Sequence, residues 1–170
     1  MNRRQAREQA FIIIFQYEFH SDTQAKSPEN HADEENFSTA ESTAENFPYD
    51  FVINEIFGNF LATHENVGEQ EIYVRRICEQ FISGKEKIDE LIEKYSQNWK
   101  KDRISMVSLA TLRLAICEIL HFDDIPTAVS ISEALEVAKK FEGEEAIPFI
   151  NGILDGVRAE LDSFATEVTP

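Results

Sequence analysis

The chain has 170 residues, 42% of them hydrophobic, with 16 Lys and Arg against 32 Asp and Glu and a formal net charge of -16. This suits one domain with a real core and enough chain for two sub-bundles, and the global field opposes nucleic acid, so any such contact must be local. The longest apolar run, Ala10 to Phe15, is far too short to span a bilayer, and no signal-peptide pattern surrounds it, so no membrane contact and a cytoplasmic location are expected.

The chain opens on "NRRQARE", its densest positive charge. Residues 2–20 read as a helix: Ala6, Ala10, Ile14 and Tyr17 form one apolar row, and Phe11, Phe15 and Phe19 form a second. Arg3 and Arg7 are four apart and share a face, with Arg4 beside Arg3. The helix is expected to have a buried rear and a cationic, exposed tip. Positive charge at a helix N-terminus opposes the macrodipole, a small local cost that invites a functional explanation. Three readings stand: solvated surface charge, RNA phosphate binding through bidentate guanidinium contacts, or contact with a protein partner.

Residues 21–47 are rich in Ser, Thr, Asn, Ala and acids; between 21 and 50, eight acids face Lys26 alone. This composition predicts a flexible acidic loop, with room for one short helix. The alternative is an acidic arm docked on a basic surface. Helical periodicity resumes at Phe51 to Leu61, its pattern broken by Gly58. Val74, Ile77, Cys78 and Phe81 mark a further helix that stops near Gly84. Ile88, Leu91, Ile92, Tyr95 and Trp99 continue at spacings of three and four.

"DRISMVSLATLRLAICEILHF" follows, apolar almost all round, and is expected to be the central buried helix with Asp102 as its N-cap. In "DDIPTAVSISEALEVAKKFEG", Pro126 fits a helix first turn, Ile131, Leu135, Ala138 and Phe141 make the core stripe, and Gly143 is a natural stop. The last helix covers "AIPFINGILDGVRAELDSF". Its pattern runs through Asn151–Gly152 without a phase break. A helical Gly costs roughly 1 kcal/mol relative to Ala, so another backbone or a ligand is expected to approach closely at Gly152. With no convincing strand and no repeat, the fold class is all-α, about six or seven helices in a single domain over residues 1–170.

Cys78 and Cys117 lie in apolar helical patterns and read as reduced core thiols. The four histidines have no metal-ligand spacing, so neither metal site nor cofactor is expected, and no phosphate loop, dinucleotide loop or nucleophile elbow is present. The chain does not read as an enzyme. Arg113, set among apolar residues, needs either a partner, with Glu118 a non-ideal candidate, or an exposed seam as a surface anchor. Phe141 and Phe149 flank the junction "FEGEEAIPF" beside Lys139 and Lys140. They are core residues or, with those lysines, the walls of a single-strand RNA groove.

Three segments in order settle much of this: "RRQAREQAFIIIFQYE", "LRLAICEIL" and "DIPTAVSISEALEVAKKFEGEEAIPFINGILDGV". Together they resemble the NusB family of bacterial transcription antitermination factors, over roughly residues 2–20 and 84–160. The element F-I-N-G-I-L-D is the most specific part. The resemblance implies an all-helical fold of two small bundles at an angle. It implies binding of boxA-type nascent RNA together with NusE, a small-subunit ribosomal protein, and joining of the RNA polymerase antitermination complex. Some relatives form homodimers that hide the RNA surface. The same fold also heads certain RNA methyltransferases, and here no catalytic domain is expected to follow it. By resemblance the RNA-binding residues are Arg3, Arg4, Arg7, Phe15, Arg113, Phe141, Phe149 and Asn151. The alternative is a protein-interaction module, or homodimer, that keeps the ribosomal partner and has lost specific RNA binding. Ser108, Leu109, Ser132 and Pro148 depart from the family pattern, and positive charge is thinner than usual.

Overall fold

The computed structural model describes residues 1–25, 47–64, 68–96 and 104–167. They form six α-helices and a single 3-10 turn: α1 (Arg3–Ala25), α2 (Phe47–Thr63), α3 (Gln70–Tyr95), α4 (Met106–His121), α5 (Thr127–Phe141), the turn Glu144–Ala146, and α6 (Ile147–Glu167). No strand occurs among the described residues. The all-α expectation holds.

Helix α4 is the hub. Every residue from Ser108 to Glu118 is buried, because α1, α3, α5 and α6 all pack on it. Helix α3, 26 residues long and so about 39 Å, serves two groups of helices. Its first half meets α1, where Phe81 takes the edge of Tyr17 at a centroid distance of 5.4 Å. Its end meets α6, where the Tyr95 ring lies over Gly156. One bundle is thus α1, α2, the start of α3 and α4; the other is α4, α5, α6 and the end of α3. The core runs continuously through both. Cys78 and Cys117 are buried free thiols, and burial pushes the Cys78 thiol up to about 12.

Several expected boundaries shift. Helix α1 runs on to Ala25, five residues into the stretch expected to be a loop; residues 26–46 lie outside the described part, as does Trp99. Along the second row of α1, Phe11 is buried, Phe15 half-buried and Phe19 exposed, so that row climbs out of the core. Neither Gly58 nor Gly84 interrupts a helix. Gly84 stays helical because it admits a neighbour: a Cβ there would sit 3.1 Å from His121 Nε2. The N-cap of α4 is Ser105, whose hydroxyl accepts from the Ser108 amide at 2.9 Å; Asp102, expected in that role, lies outside the described residues. Pro126 precedes α5 as its N-cap, one place earlier than expected. Gly143 does end the α5 segment, with φ of 115°, a conformation open to glycine.

The close approach expected at Gly152 is absent among the described residues: nothing lies within 4 Å of a Cβ built there. It occurs one turn later, at Gly156, where a Cβ would be 2.4 Å from the Tyr95 ring. Tyr95 then donates to Glu160 at 2.6 Å, so this ring needs the bare backbone to reach its acceptor.

Candidate nucleic-acid interface

The basic tip is built on a reciprocal cap. The Gln5 amide donates to Asn2 Oδ1 and the Asn2 amide donates to Gln5 Oε1, each at 2.9 Å. This capping box satisfies two amides that the helix leaves open. It offsets the unfavourable placement of arginines in the first turn. The N-x-x-Q spacing was readable in the sequence.

The three arginines then take different places. Arg3 is exposed, and its guanidinium lies over the Tyr73 ring, 4.4 Å from the centroid. The Arg4 side chain is 57% exposed and grips Glu133 of α5 with one edge of its guanidinium, Nη2 donating at 2.9 Å and Nε at 3.2 Å. This contact lowers the Glu133 carboxyl below its ordinary value. The Arg7 side chain is only 7% exposed. Its Nε donates to Glu118 Oε1 at 2.9 Å, and its Nη1 lies 3.5 Å from Glu133. Tyr73 donates its hydroxyl to the same Glu118 oxygen at 2.7 Å. Arg7 is therefore an internal strut between α1, α4 and α5, and it presents no face to RNA in this arrangement.

Arg113 is not a surface anchor either. Its side chain is wholly buried, with Nε and Nη2 donating to Asp89 at 2.8 and 2.9 Å and Nη1 2.6 Å from Glu18. Its partners come from α3 and α1. The Glu118 partner considered from sequence serves Arg7 and Tyr73 instead. A lone buried guanidinium is very expensive, and two carboxylates with a bidentate contact resolve that here.

Three exposed cations, Arg4, Lys139 and Lys140, gather where α1 faces α5. Arg4, Glu8, Glu133, Glu136, Val137, Lys139 and Lys140 line an open cleft of about 320 Å³. Lys140 pairs with Glu8 across it, while Lys139 pairs with Glu144 at 2.7 Å. Phe141, next to Lys140 at the end of α5, is 38% exposed, with its ring 4.7 Å from Phe11 and the Lys140 ammonium 5.3 Å from its centroid. Phe15 stacks on the same Phe11 at 6.1 Å. The structure thus joins Phe15 and Phe141 through Phe11, while Arg4 meets α5 at Glu133. Beyond the Gly143 bend, Phe149 and Asn151 lie half-buried in the first turns of α6; Phe149 packs on the core and Asn151 donates to Asp155 at 2.8 Å. Glu133 and Tyr73, which organise the arginines, are not marked by the sequence, and Glu118 is matched there to Arg113 in place of Arg7. They lie 45 to 129 positions from their partners, and local spacing carries no trace of such pairs.

An all-helical scaffold carrying a cleft of paired charges beside an exposed aromatic ring is the class of protein this geometry defines. The family model described as the NusB family matches residues 4–159. The transcription antitermination protein NusB of Natranaerobius thermophilus is 41% identical over 162 residues, covering 95% of this chain and 98% of that one. Its namesake in Acetivibrio thermocellus is 38% identical, covering 92% and 88%. The solved structure of T. maritima NusB superposes with a TM-score of 0.65 at 30% identity, covering 91% of this chain and 89% of that one. A crystal structure of antitermination factors NusB and NusE in complex with dsRNA shares the fold, with a TM-score of 0.64 at 20% identity over 92% of this chain and 97% of that one. The chain belongs to the NusB family, whose members named here are transcription antitermination proteins and not enzymes.

Proposed function

We propose that this protein is an RNA-binding antitermination factor. It binds boxA-type nascent RNA together with a NusE-like ribosomal protein and joins the RNA polymerase antitermination complex in the cytoplasm. The observation that carries this reading is the α1–α5 face, which sets Arg4, Lys139 and Lys140 beside the exposed Phe141 ring in a member of this family. The relative solved with NusE and dsRNA supports both partners. Arg3 and Arg4 hold phosphates, Phe141 and Phe15 supply the aromatic edge, and Phe149 and Asn151 continue the path onto α6. Arg7 and Arg113 serve by holding helices in place. The acidic body complements a basic ribosomal protein, and opposite charge speeds such an encounter.

Fluorescence anisotropy with a boxA-like RNA, at two salt concentrations and with and without the ribosomal protein, tests this. Binding that needs both proteins and weakens with salt is expected. One observation favours a second reading, a protein-interaction module or homodimer without specific RNA binding: Arg4, Lys139 and Lys140 already hold carboxylates. Formation of the protein pair with no specific RNA binding would establish it.

A further inference from the structure

Two ion pairs bridge the cleft between α1 and α5, and they run in opposite senses. Helix α1 supplies the cation Arg4 and, one turn on, the anion Glu8; α5 supplies the anion Glu133 and, two turns on, the cation Lys140. Arg4 and Lys140 therefore each meet a carboxylate from the opposite helix, while Lys139 pairs with Glu144 of the turn that follows α5. The Arg4–Glu133 contact uses Nη2 and Nε on the two carboxylate oxygens. That is also the fork geometry with which arginine takes a phosphate. One fork cannot satisfy both acceptors.

We propose that Glu8 and Glu133 are built-in competitors for RNA phosphate and set the affinity of the α1–α5 cleft. The inference rests on the RNA-binding reading above. For RNA to enter, Arg4 and Lys140 exchange a carboxylate for a phosphate. Exposed ion pairs are weak enough to yield, so the cleft stays open to RNA. The displaced carboxylates remain beside the incoming phosphates, repel them and gather cations of their own. Both effects lower the affinity and flatten its salt dependence relative to a cleft with free cations. The competition also makes binding selective for an RNA that is held elsewhere as well, as it would be on a second protein.

The test titrates a fluorescein-labelled boxA-like RNA, in the presence of the ribosomal protein, with the full chain and its Glu8→Gln, Glu133→Gln and double variants. Tighter binding is expected, by about two- to five-fold for each carboxylate removed. The salt slope should steepen by up to about 0.7 for each unmasked cation. Glu133 also touches the buried Arg7, so Glu8→Gln, which leaves that pair alone, carries the decision. Unchanged or weaker binding by Glu8→Gln overturns the proposal and makes these carboxylates braces for the cations. If the unaltered chain binds no RNA but the double variant does, masking stands. If none of the four proteins binds, the RNA-binding reading falls with it.

Discussion

Arg4 and Arg7 stand three positions apart on one helix and have opposite surroundings. Arg4 lies open to solvent, while Arg7 is sealed against Glu118. Removing one partner of a buried pair strands the other charge, at about 3–5 kcal/mol. Arg7→Ala should lower the unfolding free energy by that order in urea denaturation, whereas Arg4→Ala should leave the midpoint nearly unchanged. A variant stripped of all three N-terminal arginines therefore confounds folding with binding. Charge density at the chain start was legible in the sequence. The division of labour was not, because Glu118 lies 111 positions from Arg7. His121 yields a pH prediction. Burial, then the Arg76 guanidinium, holds its imidazole below the ordinary value, which is about 6.5. The unfolded chain then binds the proton more readily. Stability from neutral His121 is full above pH of about 6.5 and falls as pH drops through the lower folded value. Denaturation midpoints should decline from pH 7.5 to 5.5, and His121→Gln should shrink that decline.

At the level of elements, apolar spacing marks the helices, and glycine is a reliable stop at Gly143 but not at Gly58 or Gly84. Gly84 lies inside α3, and the glycine that admits a neighbour in α6 is Gly156, not Gly152. Periodicity reports which face is buried but is silent on how closely the facing chain comes. Two alanine substitutions separate these cases. Gly156→Ala drives a methyl group into the Tyr95 ring and should destabilise by about 1–3 kcal/mol. Gly152→Ala enters open space on an exposed helix face and should stabilise by up to about 1 kcal/mol. Thermal unfolding of the two variants, side by side, checks both signs.

For the whole molecule, the net charge is -16, yet the α1–α5 cleft is locally balanced, with three cations set among three carboxylates. The cleft gathers cations from the first helix and from the end of α5, close in space though remote in sequence. The basic segments were visible in the sequence, but their meeting across α1 and α5 was not. The carboxylates that face them were also hidden there. RNA binding by this cleft is tested by anisotropy with boxA-like RNA and the ribosomal protein, comparing the unaltered chain with the Arg4→Ala, Lys140→Ala double variant. Neither residue is buried, so the fold and the protein pair should persist. For the double variant, an RNA affinity at least about ten-fold weaker and a shallower salt slope are expected. Equal RNA affinity for the two proteins, with the protein pair intact, would contradict it.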